Sequence, residues 1–92
     1  MKITKLRCDE ETEEHIGSRH RVSFREVEEA AYQRGFVIRG REVDIYEAYG
    51  RTEAGRYLMI AVRYLGQGVA RLITARDMSA TERARYRKHI AH

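Results

Sequence analysis

Residues 56–76 read RYLMIAVRYLGQGVARLITAR. Two apolar-rich runs of strand length, Arg56–Leu65 and Val69–Arg76, are divided by Gly66-Gln67-Gly68, a break whose glycines accept turn geometry at no steric cost. The pair predicts an antiparallel hairpin. A three-residue loop sets Leu65 against Val69 and puts Arg63 directly opposite Arg71. Leu58, Ile60, Val62, Tyr64, Ala70, Leu72 and Thr74 then share the core face, and the two arginines project from the other one. Like charges so placed repel, and an unpaired couple suits an anion. A plainer reading has Glu42, Asp44 or Glu47 on the neighbouring strand neutralise them.

Working back from the hairpin, GRTEAG (residues 50–55) is a hairpin-length loop, and the period-two run Glu42–Tyr49 before it reads as a strand. Val43 and Ile45 fall on one side of that strand, with Asp44, Tyr46 and Ala48 on the other. Phe36–Ile38 reads as another strand. Before it lies a helix from Phe24 to about Arg34: Ser23 and Glu26 form a capping box, Val22 and Val27 a hydrophobic staple, and Gly35 supplies the stop. Phe24, Val27, Ala30 and Ala31 make its buried face. Residues 3–8 alternate as a short strand, and Asp9 caps a helix from Glu10 to about Ser18 whose one firm core anchor is Ile16.

Working forward, Ser79 and Glu82 form a second capping box, opening a helix to about Ile90 with Arg83, Tyr86, Arg87 and Ile90 on one stripe. The order β-α-α-β-β-β-β-α predicts an α+β fold: an antiparallel four- to five-stranded sheet with two N-terminal helices and one C-terminal helix. At 92 residues this is one domain, 1–92, with a modest core. The composition, 42% hydrophobic and 35% charged, is that of a water-soluble globular chain. No apolar segment suits a signal peptide or a membrane span, so the expectation is a cytoplasmic protein.

The formal net charge is +4, and the excess sits in residues 71–92, which carry six basic and two acidic groups. Nearly all the basic residues are arginine, whose planar fork suits bidentate phosphate contact. A GC-rich genome or heat adaptation also scatters arginine. The four histidines and the single Cys8 show no metal-ligand spacing, no nucleophile signature is present, and neither a Walker loop nor G-x-G-x-x-G occurs. No cofactor is expected.

The strand-end Arg76 and helix-start Glu82 are joined by a short connection that brings them within reach of one another and of a helix N-terminus. Structural roles are equally available: Glu82 closing its cap, Arg76 pairing with Asp77, Tyr86 and Ile90 packing in the core, and His20 hydrogen-bonding at a helix end.

HRVSFREVEEA, GRTEAGRYLMIAV and RLITARDMSATERARYRK together resemble the BrnT-type toxins of bacterial and archaeal toxin-antitoxin pairs, within the RelE-like ribonuclease group, over about Asp9 to Lys88. The most specific match is an arginine-bearing strand, Ser/Thr-Ala-Arg and a helix with Glu-Arg and a tyrosine one turn on, here Arg71, Thr74-Ala75-Arg76, Glu82-Arg83 and Tyr86. The histidine before the Val-Ser-Phe helix start is His20. Three positions depart from the family pattern: Cys8-Asp9 stands for Trp-Asp, His20-Arg21 for His-Gly, and Asp77 for a basic residue.

The resemblance implies a RelE-like fold and a metal-independent endoribonuclease. Such an enzyme sets the ribose 2′-OH on the adjacent phosphorus, and a cognate antitoxin neutralises it in a complex that binds promoter DNA. It implies Arg71, Arg76 and Arg83 for phosphate and transition-state binding, Glu82 as general base, Tyr86 orienting Glu82 or stacking on a base, and His20 as an outside candidate for proton transfer. Arg63, Arg87 and Lys88 extend the RNA-binding set. No membrane partner is implied, and a homodimer stays open. The alternative is an RNA- or antitoxin-binding module of the same fold with weakened catalysis, for which Asp77 is the hint.

Overall fold

A computed structural model describes residues 3–32 and 37–90, and for residues 37–39 the backbone alone. The elements run β1 (Lys5–Arg7), α1 (Glu10–His20), α2 (Phe24–Tyr32), β2 (Val37–Glu42), β3 (Ile45–Arg51), β4 (Tyr57–Gly66), β5 (Val69–Asp77) and α3 (Ala80–Ile90). This is the order expected from the sequence. The strands form one sheet in the order β1-β5-β4-β3-β2, antiparallel except that β1 lies parallel to β5. Two helices and three strands separate β1 from β5, a connection long enough to permit the parallel pairing that a tight hairpin forbids. Among the described residues, no helix is long and apolar enough to cross a membrane.

One face of the sheet carries α1 over β5 and α2 over β3 and β4. Ile16, Val22, Val27, Ala30 and Ala31 meet Leu6, Ala48, Leu58, Ile60, Val62, Ala70, Leu72 and Ala75 there, nearly all of them sealed from water. Ile16 is α1's one buried residue, as expected. Both N-terminal caps are formed: the Thr12 amide donates to Asp9 Oδ1 at 2.8 Å, and Ser23 and Glu26 exchange their bonds at 3.0 and 3.1 Å. The expected end of α2 at Arg34, its stop at Gly35 and the strand start at Phe36 lie outside the described residues.

Four expectations are corrected. Glu42–Tyr49 is two strands joined by a turn at Val43-Asp44; Asp44 has φ 59° and Val43 is 85% exposed. An aspartate tolerates this left-handed geometry, so alternation alone did not reveal the break. The β4–β5 loop has two residues, not three: Gly66 pairs with Val69, and Gln67 and Gly68 take φ 53° and 79°, the twist that suits a tight hairpin. A register shift between Tyr64 and Gly66 absorbs the difference, so Arg63 still faces Arg71.

The third correction concerns β5. Leu72 pairs with Val62 and Thr74 with Ala61, leaving Ile73 as a bulge residue. Past the bulge the alternation inverts, so Ala75 enters the core and Thr74 does not. Fourth, α3 turns its Tyr86 inward but leaves Ile90 45% exposed. Tyr86 lies with Met59, Ala61 and Met78 on the sheet's second face, flanked by Tyr49 and Tyr57.

Candidate active site at the strand β5 to helix α3 junction

The bulge at Ile73 decides where Arg76 goes. Strict alternation from Leu72 would point it into the core; the extra residue puts Ala75 there and turns Arg76 towards α3. Arg76 then lies beside Met59 of β4, itself beside Tyr49 of β3.

The capping box of α3 supplies the partner. The Ser79 amide donates to Glu82 Oε1 at 2.8 Å, and the Glu82 amide donates to Ser79 Oγ at 3.1 Å. That fixed carboxylate receives Arg76 at two points, Nη1 to Oε1 at 2.8 Å and Nη2 to Oε2 at 3.0 Å. Arg76 Nη1 also donates to the Asp77 carbonyl at 3.0 Å. The Arg76 hydrogen bonds, ahead of the Ser79 amide, hold the Glu82 carboxyl down at about 2.

Beside this pair a phenol stands among arginines. Tyr57 opens β4 directly opposite Arg51, the last residue of β3. The guanidinium carbons of Arg51, Arg83 and Arg87 lie 5.7, 6.0 and 5.3 Å from its ring centroid. Arg83 and Arg87 are one turn apart on α3, so both reach the same ring. The buried Tyr86 ring meets Tyr57 edge-on at 5.9 Å. The Tyr57 hydroxyl is drawn below the usual phenol range, first by Arg87 as a hydrogen-bond donor and then by the charges of Arg87, Arg51 and Arg83. Burial pushes Tyr86 the other way.

Arg56 braces the site from the opposite face. It donates to Asp77 (2.7 and 3.1 Å), to Glu26 (3.3 and 3.2 Å), and to the carbonyls of Arg21 (2.7 Å) and His20 (3.0 Å). One guanidinium thereby ties the end of α1, the cap of α2 and the end of β5 together. Asp77 is thus engaged by Arg56, and its side chain does not pair with Arg76.

Of the residues singled out in the sequence, Arg76, Glu82, Arg83, Tyr86 and Arg87 come together here. Lys88 is exposed on α3. Arg63 and Arg71 face each other two side-chain rows along the sheet, roughly 13 Å from Arg76 at ordinary strand rise. Neither is neutralised by Glu42, Asp44 or Glu47; Glu47 pairs with Arg41 at 3.2 Å and accepts from Tyr49 at 3.0 Å. His20 ends α1, its ring edge-on to His15 at 5.9 Å, near enough to Asp77 to depress that carboxyl after Arg56 has done so.

Sequence reasoning missed Tyr57, Arg51 and Arg56. The signal was in the GRTEAGRY loop: closing it between Thr52 and Arg56, as the 2.9 Å bond from the Thr52 amide to the Arg56 carbonyl does, sets Arg51 opposite Tyr57. Among the described residues, no group of three or more His, Cys, Asp or Glu comes together that could hold a metal.

No protein-family model matches the chain, and no curated protein matches it in sequence. In three dimensions it matches the crystal structure of the Brucella abortus ribonuclease toxin BrnT, with a TM-score of 0.68 over 82% of this chain and 96% of that one, at 17% identity. The order of elements and this superposition give the chain the fold of the Brucella toxin.

Proposed function

We propose that the chain is the toxin of a toxin-antitoxin pair, an endoribonuclease that cuts RNA without a metal by setting the ribose 2′-OH on the neighbouring phosphorus. The observation that carries this reading is the grouping of Arg51, Arg83 and Arg87 around the lowered-pKa hydroxyl of Tyr57, beside the positioned Arg76. Internal transesterification forms the O2′–P bond, breaks P–O5′ and moves one proton from the 2′-OH to the departing 5′-oxygen, so it needs a group that accepts and passes on that proton and preorganised positive charge where the phosphorane's negative charge develops. Tyr57 is the acceptor and the arginines are the charge. Arg76 binds the phosphate, with one edge held by Glu82.

This changes the role of Glu82. A carboxyl held at about 2 is a weak base at neutral pH, so Glu82 positions Arg76 and does not take the proton. Tyr86 supports Tyr57 from below. Asp77 does not weaken the site, because Arg56 engages its charge on the other face. A cognate antitoxin would cover this basic junction, and promoter DNA would be reached only through that complex.

Purified protein incubated with single-stranded RNA in excess EDTA is expected to leave 2′,3′-cyclic phosphate ends. Cutting that stops on chelation, or that leaves 3′-hydroxyl ends, would overturn the mechanism. RNA binding without scission would favour the non-cutting module of the same fold.

A further inference from the structure

The sheet carries a second row of arginines, away from the junction, that sequence parity showed only in part. Arg71 of β5 pairs in register with Arg63 of β4 on one side and with Arg7 of β1 on the other. Side chains in register share a face, so three arginines on adjacent strands, about 4.8 Å apart, line one exposed row opposite the buried Leu6 and Leu72. Among the described residues, the side chain of none of the three makes an ion pair or hydrogen bond. Asp9, which caps α1, is the carboxylate close enough to feel Arg71, and its own side chain is spent on the Thr12 amide.

Three like charges side by side, each without a partner, disfavour the folded sheet and gain nothing from packing. Polyanion binding repays that arrangement. Next to the row lies a shallow depression of about 400 Å³ lined by Arg7, Leu65, Gly66, Gln67 and Val69. Leu65 is 48% exposed there and offers an apolar wall, with the Gln67 amide as donor and acceptor. A row of phosphate ligands beside a half-apolar recess fits an unpaired nucleotide better than a duplex, whose bases are stacked inside.

We infer that the Arg7–Arg71–Arg63 row is a backbone track for single-stranded RNA, holding phosphates roughly 13 Å from Arg76, beyond the scissile linkage. It rests on the proposed function and names where the RNA runs beyond the cleaved linkage. Arg71 thereby belongs to the track and not to the reacting phosphate.

The test uses 2′-O-methyl RNA, which keeps the phosphates and cannot be cut, so its result does not depend on whether the protein cleaves. Titrate fluorescein-labelled oligomers of four and ten nucleotides at several salt concentrations with wild type and with the Arg7→Gln/Arg63→Gln/Arg71→Gln variant. Wild type is expected to bind the ten-mer more tightly than the four-mer, and the variant to lose that gain. The slope of log K against log salt for the ten-mer should shrink by about 2, some 0.7 per lost contact. Circular dichroism melts at low salt should show the variant at least as stable as wild type. A variant that keeps the length gain and the salt slope overturns the track. So does a deca-glutamate peptide that binds as tightly as the ten-mer and loses as much affinity in the variant, since the row would then be a strip for an acidic protein segment.

Discussion

The guanidinium of Arg76 and the carboxylate of Glu82 meet at two points, 2.8 and 3.0 Å apart, across the turn that links β5 to α3. The Glu82 carboxyl sits at about 2 in the fold against 4.5 in a free chain, so the fold binds its ionised form. Its contribution is complete above about pH 4.5 and is lost as pH falls towards 2. Arg76 is 37% exposed, and solvent screening brings the worth of the pair to the order of 2 kcal/mol. Glu82→Gln keeps an acceptor for the Ser79 amide, removes the charge and puts an amide donor where Arg76 Nη2 had an acceptor. Urea titrations are expected to show it less stable than wild type at pH 7 and nearly equal at pH 2. Equal losses at both would mean that the charge does nothing.

Arg21 occupies a backbone position that favours glycine. It follows α1 at φ 54°, in the left-handed region, and its amide donates to the Gly17 carbonyl at 3.1 Å. A side chain there costs about 1 kcal/mol relative to glycine. Among the described residues its exposed side chain forms no hydrogen bond or ion pair to offset that; what Arg56 uses is its carbonyl, which glycine keeps. Arg21→Gly should therefore raise the melting temperature by about 4–8 °C for a domain of this size. A melting temperature that stays put or drops would show that the unfolded chain's added freedom outweighs the relieved strain.

Local chemistry was the legible part of this fold. Asp9, Ser23 and Ser79 announce helix starts because a capping side chain bonds an amide two or three residues away, a relation written within one turn. The facing of Arg63 and Arg71 could be read because few residues separate them. Three features depended on distant partners. The bulge at Ile73 exists only relative to β4, and no residue in LITAR marks it; yet it alone moves Arg76 from the core side to the α3 side. Arg7 joins the arginine row because β1 comes to lie beside β5, 64 residues on, through its amide bonds to the Gly68 carbonyl. Tyr57 lay unremarked inside the expected strand Arg56–Leu65, because its arginine surround draws on β3 and α3 together.

That surround gives the clearest kinetic prediction. Tyr57→Phe removes one oxygen from a ring whose packing on Tyr86 is unchanged, so stability should barely move while RNA scission drops by about 100-fold or more, the usual weight of a general base. The wild-type rate should rise about tenfold per pH unit and level off below the ordinary phenol range, because the base acts in its ionised form and the arginines hold its pKa down. Arg51→Gln removes one of those charges without altering α3. The plateau should then move to higher pH, as the neutral phenol is no longer disfavoured to the same degree. Single-turnover rates across pH 6–10 on the three proteins measure all of this. A Tyr57→Phe enzyme with the wild-type profile, or an Arg51→Gln profile displaced to lower pH, would remove Tyr57 as the proton acceptor and leave it a platform on which Arg83 and Arg87 are spread.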